Sequence, residues 1–174
     1  MFFEHGHIYH IYNKGNNRQQ IFFMRENYLF FLKKIETFPE ESGSATLSRT
    51  PTAKQESFNK SIGIMLASYT RDINKQDNLI GSLFRDKTKA ECLTKTEGNT
   101  PFFFNTVHGT KINVQIPEKE YHQVCFNYIH NNPVKANLAD HPEDWEFSSY
   151  RDYCGLRNGK LINTTRAEEF GLRN

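Results

Sequence analysis

Apolar residues recur along this chain with two periods, one helical and one extended, and a stretch that obeys neither lies between them. In residues 25–38, Tyr28, Leu29, Phe31, Leu32, Ile35 and Phe38 form a broad stripe at helical spacing, with Lys33, Lys34 and Glu36 mostly on the other side. This predicts a first, core-facing helix closed by Pro39, whose ring cannot continue it. In residues 57–75, Ile62, Met65, Leu66, Tyr69 and Ile73 mark one side and Lys60, Arg71 and Lys75 the other, which predicts a second helix ended by 78–81. A third helix is predicted over 121–131, where Val124, Phe126 and Ile129 are apolar and Tyr121, Cys125, Tyr128 and Asn132 recur at helical spacing. Pro133 has no amide hydrogen, so this helix should stop by Asn132, which then caps one or two further turns through Val134 and Leu138. Short helices over 148–153 and 164–170 complete the set, the first following a loop whose Trp145 and Phe147 dock on the core.

Alternation with period two marks residues 8–12 as a strand, followed by a turn over Asn13, Lys14, Gly15, Asn16 and Asn17. Residues 81–93 alternate as a second strand, and 102–107 and 111–116 pair as a hairpin across His108 and Gly109. Residues 37–60 turn abruptly to Glu, Ser, Thr, Gly, Pro and Lys. So little apolar surface cannot offset the entropy of ordering, and a flexible linker is the expectation there.

At 174 residues the chain has the length of a single domain, 1–174, and 37% hydrophobic with 24% charged residues is an ordinary globular composition. No apolar run approaches the roughly 20 residues that span a bilayer, and the first residues carry no signal-like hydrophobic region, so a cytoplasmic protein without membrane contact is expected. Three cysteines, Cys92, Cys125 and Cys154, show no Cys-x-x-Cys spacing and read as reduced small apolar residues. A formal net charge of +2 does not by itself announce a nucleic-acid binder. Local clusters carry that case: Arg85, Lys87 and Lys89 form the best basic row, and Lys135, Arg151 and Arg157 add cations in the C-terminal part, with Lys160 and Arg166 beyond them. The same row reads equally as lysines protecting a solvated edge strand.

The chemistry concentrates at Tyr128 and Asn132. Four residues apart on a helix, a phenol and a carboxamide stand one above the other on one face. His5 and His7 would share a face of a strand, as a metal-binding His-x-His pair requires, but Gly6 separates them at the start of the chain, and partly exposed imidazoles are the plainer reading. His130 points away from Tyr128, while His108 and His122 could approach it only through tertiary folding.

The runs YIHNNPVKANL and PEDWEFSSYRDYCGLRNG, with GHIYHIYNKGNNRQQIFF and YTRDINKQDNLIGSLFRDKTKA before them, resemble the REP-associated tyrosine transposases, single-strand DNA transposases of the HUH superfamily. The resemblance implies an α+β, ferredoxin-like fold, a homodimer, a single-stranded or hairpin DNA partner, and a C-terminal tail that recognises the hairpin. It implies Tyr128 as the nucleophile that forms a 5′-phosphotyrosine, and Asn132 as one ligand of a Mg²⁺ or Mn²⁺ ion. The family's other ligands come from a His-hydrophobe-His motif on a central strand pair. Here residues 37–60 stand in that place and contain no histidine. A linker replacing two strands leaves the metal site incomplete and a sheet edge exposed. The expectation is a DNA-binding protein with impaired catalysis; an active transposase or nickase with other ligands, such as His5, His7 or His108, and a degenerate interaction module are the alternatives.

Overall fold

The computed structural model describes residues 3–41, 51–94, 102–106, 109–113 and 121–173. Helices and two small two-stranded sheets make it an α+β chain. In order they are β1 (Tyr9–Tyr12), a 3-10 turn (Asn16–Arg18), α1 (Arg25–Glu41), α2 (Pro51–Asp77), β2 (Lys89–Cys92), β3 (Phe102–Thr106), β4 (Gly109–Asn113), α3 (Tyr121–Lys135), a second 3-10 turn (Pro142–Asp144), α4 (Tyr150–Tyr153) and α5 (Thr164–Glu169). β1 pairs with β2, and β3 pairs antiparallel with β4, Phe104 opposite Lys111. The chain divides into two compact units, residues 1–3 with 11–90 and residues 4–10 with 91–174.

The first unit is built on the stripe of α2. Tyr69 and Ile73 are fully buried, Leu83 and Phe84 are buried with them, and Ile21, Phe22, Phe31 and Leu66 pack around the four. The Tyr69 ring lies edge-on to Phe31 at 5.1 Å and 5.9 Å from Phe84. Its hydroxyl would be costly to bury alone, and it donates to the Ile21 carbonyl at 3.0 Å. Asn27 is buried for a different reason. Its Oδ1 accepts from the backbone N–H groups of Phe23 and Met24, just before α1, and its amide nitrogen donates to Gln76 near the end of α2. One side chain thus caps the entry to α1 and fixes it to α2. Lys34 joins the same helices farther along, donating to Ser68 at 2.8 Å and pairing with Asp72 at 3.1 Å.

The segment before α1 is held to residues 83–88. Asn16 N–H donates to the Leu83 carbonyl, Arg85 N–H to the Lys14 carbonyl, and the Asn13 amide to the Arg85 carbonyl and Thr88 hydroxyl. Gly15 is required here: a Cβ at this position would lie 2.3 Å from the Gln19 carbonyl oxygen.

The second unit packs around the inner face of α3, where Cys125, Phe126, His130 and Pro133 are buried. Phe126 meets Tyr153 edge-on at 4.8 Å. The C-terminal end is tied in by Gln123, whose side chain donates to the Arg173 carbonyl and accepts from the Arg173 N–H.

Several sequence expectations are corrected. α1 runs past Pro39 to Glu41, two residues beyond the proline expected to close it. α2 begins at Pro51, six residues before the predicted start, with proline at its first position. Helix ends therefore occupy 37–41 and 51–60 of the expected linker, and 42–50 lie outside the described residues. The strand expected over 81–93 shrinks to Lys89–Cys92, because Gly81 adopts a φ of +94° and Phe84 turns into the core. α3 does not stop at Asn132. It continues through Pro133 to Lys135, and Ala136 and Leu138 N–H groups still reach the carbonyls of Asn132 and Pro133. The apolar assignment also overreached: Leu29, Ile35, Ile129 and Leu138 are substantially exposed. The hairpin forms with Gly109 in its second strand rather than in the turn, and Val107 and His108 lie outside the described residues.

Candidate functional site

The outer face of α3 carries the residues that drew attention in the sequence. Tyr128 is 45% exposed, and the Lys135 ammonium, two turns on, stands 5.2 Å from its ring centroid. That is the geometry of a cation over an aromatic face, worth about 0.5–1 kcal/mol at an exposed site. Asn132 lies between them, half-buried and one turn beyond Tyr128. The unbroken helix holds the three in fixed register, a tighter arrangement than two helices meeting at Pro133 would give. Around them the face is polar, with the Gln123 amide donating to Asn127 Oδ1 and the Asn131 amide to the Asn127 carbonyl.

The opposite face of the same helix is dry. His130 is 3% exposed, its ring 4.2 Å from Phe126 and 5.3 Å from Tyr150. Nε2 is 2.7 Å from the Ser149 hydroxyl, while Nδ1 is buried without a hydrogen-bond partner among the described residues. Burial lowers its pKa to about 4, so the ring is neutral at physiological pH. Cys125 is buried as well, and desolvation pushes its thiol up to about 11, which leaves it a packed side chain rather than a nucleophile. The face that can do chemistry and the face that anchors it are thus the two sides of α3.

A divalent ion fits this site poorly. Asn132 offers one carboxamide oxygen, and among the described residues no group of three or more His, Cys, Asp or Glu side chains stands within reach of a common ion. His5 is exposed, and His7 places Nδ1 2.9 Å from the Thr94 hydroxyl with Glu4 3.8 Å from its other nitrogen. The described residues do not make a Mg²⁺ or Mn²⁺ site.

The basic residues divide into two kinds. Arg85, Lys87 and Lys89 are all exposed, and only Lys89 belongs to a strand, so they form no single row on one sheet face. Arg151 and Arg157 work inside the fold. Arg151 donates to the Glu143 carbonyl at 2.9 Å. Arg157 donates from Nε and Nη2 to the Asp152 carboxylate, from Nη1 to the Glu146 carbonyl and from Nη2 to the Ser148 carbonyl. Asp152 is buried and also accepts from the Gly159 N–H at 2.6 Å. The Arg157 hydrogen bonds, opposed by burial and aided by that N–H, hold its pKa below the ordinary carboxylate value. Gly159 belongs to the clamp, since a Cβ there would come within 2.8 Å of Asp152 Oδ1. Sequence reasoning missed Asp152 altogether. The available signal was an acid followed five residues later by Arg and seven later by Gly, across a turn.

No helix among the described residues is long and apolar enough to cross a membrane. Comparison with family models, with curated proteins and with solved structures finds no match to this chain.

Proposed function

We propose that this chain is a DNA-binding protein related to the REP-associated tyrosine transposases, acting on single-stranded hairpin DNA with impaired catalysis. The carrying observation is the outer face of α3, where exposed Tyr128, Asn132 and the Lys135 ammonium share one register. A phosphate brought to the Tyr128 hydroxyl would have Lys135 close by, and exposed Arg85, Lys87 and Lys89 are available to other phosphates. On this reading the fold is a reduced form of the family's ferredoxin-like arrangement, and the protein works in the cytoplasm as a homodimer.

Strand cleavage is the weaker half of the reading. A tyrosine hydroxyl attacking a phosphodiester develops charge on the phosphoryl oxygens, and one lysine does little of what a positioned divalent ion does. Incubation of the purified chain and of Tyr128→Phe with labelled hairpin DNA and Mg²⁺ or Mn²⁺, followed by denaturing electrophoresis, tests this directly. Binding by both proteins with little or no covalent adduct is expected. Abundant metal-dependent adduct that disappears in Tyr128→Phe would make the chain an active transposase or nickase.

A further inference from the structure

A cleft of about 590 Å³ opens in the first unit between α2 and the 81–88 segment. Leu66 and Phe84 supply an apolar surface, and Arg71 and Arg85 also line it. Asn74 lies on its wall, its amide nitrogen donating to the Gly81 carbonyl at 2.8 Å while its Oδ1 is buried without a partner among the described residues. A second concavity of about 600 Å³ shares Arg85 and Asp86 with the first and is otherwise walled by Asn16, Asn17 and Arg18. Asn17 and Arg18 there have φ of +49° and +59°, left-handed backbone that non-glycine residues seldom adopt.

Surface arginines are commonly just solvated. Four features separate this place from that reading. The Arg85 guanidinium makes no ion pair or hydrogen bond among the described residues, and Arg71 has only a long contact, 3.9 Å, to Asp72. Apolar surface for a flat ring lies within the same cleft. A buried acceptor there lacks a donor, which is costly unless something supplies one. Two strained residues shape the adjoining concavity, where strain is often kept for binding.

We propose that this cleft takes one unpaired nucleotide. The base lies against Leu66 and Phe84, an exocyclic amino group donates to Asn74 Oδ1, and the flanking phosphates meet Arg71, Arg85 and Arg18. The proposal deepens the single-stranded DNA reading and rests on it. The shared chemistry is an aromatic base bearing phosphate, so a free mononucleotide is the other possible source.

The test uses the full chain and fluorescence anisotropy of a labelled single strand of mixed sequence at low salt, with dAMP as competitor, and isothermal titration calorimetry of dAMP alone. The variants are Arg85→Ala, which removes a cation, and Gly63→Phe, which fills the cleft from α2. A Cβ at Gly63 meets nothing within 4 Å, and losing a helical glycine favours the helix, so this variant is expected to fold; thermal melting checks that it does. Each variant should weaken strand binding by about tenfold, the scale of one stacked base, and dAMP should compete with the strand. Wild-type binding that both variants retain in full would overturn the cleft while leaving the DNA reading intact. No binding of strand or dAMP by the wild type would remove both. Binding of dAMP alone, lost in the variants, would establish a nucleotide site and overturn the strand as its ligand.

Discussion

The two groups of basic residues carry the same charge and play different parts. Arg151 and Arg157 spend their guanidinium groups on backbone carbonyls and a buried carboxylate, so they hold the C-terminal turns together. Arg85, Lys87 and Lys89 keep theirs exposed. A count of positive charge along the sequence cannot separate these roles, because the difference lies in where the acceptors sit. A guanidinium with most of its donors engaged internally has little left for a phosphate.

The strongest way to probe the internal half of this contrast is acid. His130 titrates near 4 in the folded chain and near 6.5 unfolded, so below pH 6.5 the unfolded state binds a proton that the folded state refuses. Stability is therefore whole above pH 6.5 and falls as pH drops toward 4, by about 3 kcal/mol in all. Asp152 adds a later loss of the opposite origin. Its folded pKa is depressed, so its contribution is present above the unfolded value of 3.8 and fades only as pH falls through the folded one. Urea unfolding midpoints across this range should decline in two stages, and His130→Phe should flatten the first.

Arg157→Ala should come next, costing about 2 kcal/mol, below the full cost of breaking a wholly buried pair because Arg157 is 38% exposed. Its thermal midpoint should drop, while its DNA affinity at temperatures where it stays folded should change little. A loss of affinity without a loss of stability would reverse the role assigned to it.

Neutralising Lys87 and Lys89 should leave stability within about 0.5 kcal/mol and flatten the salt dependence of DNA binding by about one unit each. If these substitutions destabilise the chain instead, the two groups are not the distinct classes they appear from their surroundings.

Where local pattern sufficed, the sequence was legible. The α2 stripe of Ile62, Leu66, Tyr69 and Ile73 faces inward as its spacing requires, the hairpin pairs around residues 107–108, and α5 begins at Thr164 with the Asn163 side chain accepting from Arg166 N–H. Proline misled twice, at Pro39 and Pro133: each was read as a stop, yet each helix runs two residues beyond it despite the missing amide donor. The start of α2 was hidden by polar residues that make a helix without an apolar stripe. At the site, the register of Tyr128 and Asn132 was readable from their spacing. The Lys135 contact, the His130 anchor and the Asp152–Arg157 clamp were not, since each depends on side-chain direction or on partners from a different turn.

The central claim is that this chain binds structured single-stranded DNA through exposed cations. Anisotropy titrations of a labelled hairpin oligonucleotide at salt concentrations from about 50 to 200 mM test it most directly, because phosphate contacts release counterions. The account predicts measurable binding at the low end that weakens steeply and log-linearly with salt. Affinity that does not change with salt, or no binding at the lowest concentration, would contradict it.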